Sequence, residues 1–219
     1  RRDQWHCAFA WPGWKRDVIC LVERPARRQI LEAFLTSTAV VALAEIGDKT
    51  QLLAILLATR FKRPVPIIFG ILFATLANHF LAALVGEQAS QFLQGQWFRY
   101  LVAASFIVMA GWTLIPDKFD EEEEKPGRFG AFLTTLISFF LVEMGDKTQL
   151  ATIALGARFE SVIPVMTGTT LGMMIANVPA VFLGNELIKR VPLKTVRTIA
   201  ALLFLAIGVW LLVQTAGLI

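Results

Sequence analysis

The sequence is short of charge and of the side chains that carry most soluble-enzyme chemistry. Only 17% of its 219 residues are Asp, Glu, Lys or Arg, where a soluble domain carries about a quarter. It has two histidines and two cysteines. No His-Glu-x-x-His pair and no serine/histidine arrangement is present, so an intramembrane hydrolase has no machinery to use. Zn²⁺ and Cu⁺ sites built on imidazole and thiolate lack their ligands. Cys7 and Cys20 both fall in the opening segment, at a spacing that demands no bridge, and read as incidental thiols.

What is present is apolar. Hydrophobic residues make up 56% of the chain and the mean hydropathy is +0.61. Residues 64–86 carry no formal charge and neither do 161–185; each run reaches the roughly 20 residues that a bilayer-spanning helix needs. The class expected is an all-α integral membrane protein, with the lipid bilayer as its surroundings. The net charge of +4 therefore does not point to nucleic acid; the basic residues lie in short loops, where they set topology.

Six apolar segments are expected to span, near 30–58, 65–86, 98–115, 129–157, 162–187 and 195–215. Residues 1–29, with three tryptophans and no sustained helical period, are expected to lie outside the fold. The linker PDKFDEEEEKPGR, 116–128, separates a first unit (30–115) from a second (129–219). Its acidic run reads as a solvated loop.

The two units are copies. A shift of 98 lays AFLT (33–36) on AFLT (131–134) and EIGDKTQL (45–52) on EMGDKTQL (143–150). The same shift pairs Gly70 with Gly168, Gly86 with Gly184, and Arg99 with Arg197. Each copy holds three spans, an odd number, so the second must enter the membrane inverted. Loop charge agrees. Arg60, Lys62, Arg63, Lys118, Lys125, Arg128, Lys189, Arg190, Lys194 and Arg197 fall on one side, which should be cytoplasmic, with both termini outside. The architecture expected is two inverted three-helix repeats, a transporter plan.

The repeated motif places charge where a membrane helix should be most apolar, and charge at that depth costs several kcal/mol unless it meets a partner, a cavity or a substrate path. On a helix Glu45 and Asp48 share a face, and Lys49, four after Glu45, is set for an intrahelical ion pair. Thr50 would point away from Glu45. Gly47 and Gly145 allow another helix or an ion close to the backbone. A segment of nearly 30 residues is about 44 Å of straight helix, against a hydrocarbon core of about 30 Å. The first helix of each repeat is therefore tilted or broken, with the motif the natural place for a break.

Inverted symmetry brings Glu45, Asp48, Glu143 and Asp146 together near the midplane with Lys49 and Lys147 beside them. Four carboxylates and two ammonium groups sum to a charge that one divalent cation neutralises. Oxygen-rich sites suit Ca²⁺, Mg²⁺ or Mn²⁺. Thr50, Gln51, Thr148 and Gln149 can add neutral oxygens, and Asn78, His79 and Asn177 lie near mid-membrane depth, to hydrogen-bond between helices or to serve the ion path. Met144, Met166, Met173 and Met174 read as packing, Trp97, Trp112 and Trp210 as interfacial anchors, and Pro179 as a kink.

Two Glu-x-Gly-Asp-Lys-Thr motifs, each on the first helix of a three-helix repeat, resemble the calcium/manganese cation–proton antiporters, the family of the human Golgi transmembrane protein 165 and of bacterial manganese exporters. The resemblance covers about residues 31–215. It implies that Glu45, Asp48, Glu143 and Asp146 bind the cation and exchange it for protons, with export from the cytoplasm across a bacterial plasma membrane. The cation, Mn²⁺ or Ca²⁺, is then cargo, and no resident cofactor and no enzymatic activity are expected. The rival reading is an exporter of a small carboxylate-bearing metabolite, such as an amino acid, held by the lysines.

Overall fold

The offset of 98 reappears in the helix bounds. The computed structural model describes residues 15–93, 95–115, 130–184 and 193–217, with backbone only for 15–26 and 193. Eight helices occur among them: α1 Lys15–Glu45, α2 Lys49–Phe61, α3 Pro64–Phe92, α4 Gln96–Thr113, α5 Ala131–Glu143, α6 Lys147–Phe159, α7 Val162–Leu183 and α8 Leu193–Thr215. Adding 98 carries α2 onto α6 residue for residue, the end of α1 onto the end of α5, and the start of α3 onto the start of α7. Even the helix ends repeat, since α2 closes on Lys62 at φ 53° and α6 on its counterpart Glu160 at φ 49°. Linker 116–128 lies outside the described residues, as does the loop holding Lys189 and Arg190.

Among the described residues three helices are long and apolar enough to cross a bilayer: Pro64–Phe92, Val162–Leu183 and Lys194–Thr215. The pair α1–α2 makes a fourth span if its 70° bend is counted as a broken crossing. The other two segments expected to span do not meet that measure by themselves. Segment 98–115 is the 18-residue α4, whose first turns hold Gln96 and Arg99, and segment 129–157 is divided into two helices of 13 residues. Helix α1 begins at Lys15, well before the expected start near residue 30. Helix α7 runs on through Pro179 to Leu183.

Each repeat embraces the other. α1 packs along α7, α5 along α3, and α4 along α8, while α6 crosses α3. The apolar surface faces outward: Phe69, Phe73, Leu101, Val108, Ile175 and Leu202 are all exposed. The interior instead collects polar groups, Glu45, Asp48, Asn78, His79, Glu143, Asp146, Lys147 and Asn177 among them. That distribution suits a hydrocarbon surround and a polar path within.

Small residues set how closely the helices approach. A Cβ on Gly86 of α3 would run into the Ile153 carbonyl of α6, and one on Gly156 would lie 2.6 Å from the Ala83 carbonyl oxygen. At Gly184, the repeat counterpart of Gly86, a Cβ would meet nothing within 4 Å. The α3–α6 crossing is therefore tight at one end, and among the described residues nothing encloses the repeat-equivalent position at the end of α7.

Candidate functional site

Both motifs break their helix in the same way. α1 ends at Glu45 and α2 begins at Lys49; α5 ends at Glu143 and α6 begins at Lys147. Gly47 sits at φ 81° and Gly145 at φ 80°, a left-handed backbone that a side chain disfavours. The glycines were expected to admit a neighbouring helix or an ion. At Gly145 a Cβ would meet nothing within 4 Å, so there it is the turn that needs glycine. Asp48 and Asp146 are the N-caps, at φ −85° and −78°. Neither aspartate side chain makes a capping bond. The glutamine three positions on does the capping: Gly47 N–H donates to Gln51 Oε1 at 3.0 Å and Gly145 N–H to Gln149 Oε1 at 2.7 Å. This resembles a capping box, with the glutamine reaching back to the chain ahead of the helix. Gln51 also donates from Nε2 to the Ala176 carbonyl at 3.0 Å. Both glutamines are thus engaged in holding the break, through the very oxygens they were expected to offer an ion.

The break changes which side chains meet. Thr50 Oγ1 donates to Glu45 Oε2 at 2.5 Å, a contact that a continuous helix forbids and the opposite of the expected divergence. In the second motif Thr148 Oγ1 lies 3.1 Å from Glu143 Oε2 and 3.2 Å from Asp146 Oδ2, and its single proton serves one at a time. The intrahelical Glu45–Lys49 pair is replaced by reciprocal pairs between repeats. Lys49 Nζ lies 2.9 Å from Asp146 Oδ1, and Lys147 Nζ lies 2.6 Å from Asp48 Oδ1. The bend after Glu45 swings Lys49 off its own helix line and toward the partner motif.

Carboxylate oxygens of Glu45, Asp48 and Asp146 all lie within 4.8 Å of one another, and all three residues are buried. The fourth expected acid, Glu143, is outside that trio; it is fully buried and joined to it through Thr148. Among the described residues Glu45 Oε1 and Glu143 Oε1 have no hydrogen-bond partner. A buried acceptor without a donor is costly, and an oxygen-preferring cation supplies what these lack. Oδ1 of Asn78 and of Asn177 likewise find no partner among the described residues, although both amides are anchored, Asn78 Nδ2 to the Phe140 carbonyl and Asn177 Nδ2 to the Met173 carbonyl.

Three features were not foreseen. Arg197 Nη2 donates to the Gly47 carbonyl at 3.1 Å, tying the start of α8 to the first break. The only sequence signal was its repeat pairing with Arg99. Ser37 is a buried polar group with nothing in its local pattern to mark it, whereas His79, named beside Asn78 as a mid-depth candidate, is buried with neither ring nitrogen bonded among the described residues. Finally, a cavity of about 570 Å³ opens where α6 ends, lined in part by Gln91, Arg99, Arg158, Glu160 and Gln214.

A buried, net acidic centre built from two copies of one motif suits a hard cation. Comparison with known proteins points the same way. Within the length of this chain, residues 33–121 and 131–218 match the family described as "Divalent cation/proton antiporter GDT1". The chain is 48% identical over 177 residues to the "Putative manganese exporter" of Vibrio cholerae serotype O1, covering 80% of this chain and 88% of that one. It is 31% identical over 197 residues to a GDT1-like protein of Synechocystis sp., covering 80% and 94%. To GDT1-like protein 5 of Arabidopsis thaliana it is 26% identical over 220 residues, covering 82% and 95%. No solved structure matches it. The chain belongs to the GDT1 family of divalent cation/proton antiporters.

Proposed function

We propose that this protein exports Mn²⁺ from the cytoplasm in exchange for protons, with Ca²⁺ the second candidate cargo, and that Glu45, Asp48, Asp146 and Glu143 form the exchange site. The observation that carries this reading is the convergence of both motifs on one buried centre, with two glutamate oxygens lacking a donor. The name of the Vibrio cholerae relative supports manganese as cargo.

The mechanism follows from competition. A carboxylate oxygen that holds a proton cannot also ligate a metal, so cation entry expels protons and protonation expels the cation. Thr50 and Thr148 orient Glu45 and Glu143 by hydrogen bonds. The rival substrate, a carboxylate-bearing metabolite, needs a free ammonium group, and Lys49 and Lys147 both sit on aspartates.

In this reading the chain is a six-span protein of a bacterial plasma membrane. Units 30–115 and 129–219 are inverted repeats, linker 116–128 is cytoplasmic, the termini are outside, and 1–29 is an extension beyond the transport unit. α6 then runs outward, and the cavity at its end is an outer vestibule. The tight α3–α6 crossing lies along α6 between that vestibule and Asp146, which supports reading it as the outer barrier. Rocking one repeat against the other would loosen this crossing and close its counterpart, α7 against α2.

The test is flux in proteoliposomes offered Mn²⁺, Ca²⁺, Mg²⁺ or Zn²⁺ in turn while internal pH is followed. Mn²⁺-driven proton movement is expected. Amino-acid transport without metal would instead favour the metabolite exporter.

A further inference from the structure

The centre already holds two cations of its own, and they are not equivalent. The Lys147 side chain is 5% exposed and its partner Asp48 is fully enclosed. The Lys49 side chain is 26% exposed, while its partner Asp146 is 5% exposed. Repeat symmetry makes these lysines counterparts, yet only one has its stem reaching toward solvent. A lysine is a compact charge on a flexible four-carbon chain, so an ammonium group with an exit can leave its partner at little cost.

Asp146 belongs to the trio of acids whose oxygens lie within 4.8 Å of one another. Its Oδ1 is occupied by Lys49 Nζ, and its Oδ2 shares the Thr148 hydroxyl with Glu143. A divalent ion seated among these oxygens at about 2.0–2.6 Å would share Asp146 with an ammonium group at 2.9 Å. Like charges that close in a buried site repel strongly. The ion and the Lys49 ammonium group therefore exclude each other.

We propose that Lys49 is a tethered competitor for the transported cation: its ammonium group holds Asp146 while the site is empty and is displaced when the cation enters. Lys147 is the fixed counterpart, keeping Asp48 charged and in place throughout. Displacing Lys49 breaks a bond between the two repeats, so cation entry releases one half of the clasp that joins them. The empty carrier keeps its acids compensated without cargo, and the loaded carrier has one fewer link across the repeats. This rests on the proposal that the acids bind the cation, and it adds the residue that sets how tightly.

The discriminating measurement is Mn²⁺ binding to the purified full chain in nanodiscs, followed by loss of the free Mn²⁺ electron paramagnetic resonance signal. If the Lys49-disengaged form is about a tenth of the empty population, removing the competitor tightens binding about tenfold. Lys49→Gln is thus expected to bind Mn²⁺ about tenfold more tightly, with Lys49→Arg close to the parent. Lys147→Gln is expected to show no tightening. If the parent binds Mn²⁺ and folded Lys49→Gln binds equally or more weakly, the competitor role is overturned while the exchange site stands. If the parent shows no saturable binding that Glu45→Gln removes, the exchange site itself falls, and this inference with it.

Discussion

Thr50 donates to Glu45 at 2.5 Å across five residues of sequence. On an unbroken helix those side chains would point well apart, so this bond exists because the helix stops at Glu45 and restarts at Lys49. The break makes the centre. It frees the glutamates from the helix line, sends each lysine to the other motif's aspartate, and presents the positive ends of α2 and α6 to the acids.

The break is testable at Gly145, which sits at φ 80° with open space around the position of a Cβ. Gly145→Ala therefore meets no clash, only the left-handed backbone penalty of about 1–2 kcal/mol. The expected result is a thermal stability loss of that size together with reduced Mn²⁺ flux. Gly111→Ala in α4 is the control, because a Cβ there also meets nothing within 4 Å but the backbone is helical. It should be neutral or stabilising by up to about 1 kcal/mol. Equal effects of the two substitutions would refute the argument.

The fixed ion pair makes its own prediction. Removing Lys147 breaks its buried ion pair with Asp48, a change that typically destabilises by about 3–5 kcal/mol. Lys147→Gln should lower folded yield and melting temperature, and Asp48→Asn in the same chain should restore much of the loss. A double variant no more stable than Lys147→Gln alone would show that the pair is not the cause.

Much of this was legible in the residues. The duplication, the apolar segments, the paired motifs and the break within the first helix of each repeat all follow from an offset, a length and a hydropathy. What misled was treating the motif as helical. Spacing by three and four puts Glu45 beside Lys49 only if the helix continues, and Gly47 ends it. The cross-repeat pairs are long-range contacts, and no local pattern encodes a partner 97 or 99 positions away. Gly86 and Gly156 stand singly, where nothing distinguishes a crossing from an ordinary small residue, whereas Gly168 and Gly172 form a Gly-x-x-x-Gly spacing that does signal a close helix crossing. The motif glutamines looked like ligands because an amide oxygen serves a cation and a backbone N–H equally well.

If access alternates through the α3–α6 crossing, Gly86→Val should disfavour the state seen here, since a side chain at that position strikes the Ile153 carbonyl. The expected consequence is greater labelling of a cysteine placed at Gln149 by a membrane-impermeant reagent added outside, with slower exchange. Unchanged labelling and normal exchange would argue that the crossing stays fixed through the cycle.

Topology is checked by the same chemistry. The loop-charge bias predicts that Glu122→Cys is protected from external reagent in intact cells and that Ile219→Cys is labelled. External labelling of Glu122→Cys would invert the assignment, and with it the identification of the cavity near Arg158 as the outer vestibule.

The acids themselves should separate by geometry. Glu45 lies in the close trio with Asp48 and Asp146, whereas Glu143 connects to it through Thr148. Glutamine keeps the size and hydrogen bonding of either side chain but removes the charge and the exchangeable proton. Glu45→Gln and Glu143→Gln should therefore both abolish Mn²⁺-driven proton movement in liposomes. They should differ in binding, with Glu45→Gln losing Mn²⁺ affinity more heavily because it removes a ligand from the trio. Binding also stabilises the fold by mass action, so parent protein at about one hundred times its dissociation constant should gain about 2.7 kcal/mol. Glu45→Gln should gain little at the same Mn²⁺ concentration. If the acids only braced the helices, the glutamine variants would lose folded yield and the folded remainder would still transport. Folded Glu45→Gln protein with undiminished coupled flux, or with Mn²⁺ stabilisation equal to the parent, would remove Glu45 from the exchange site.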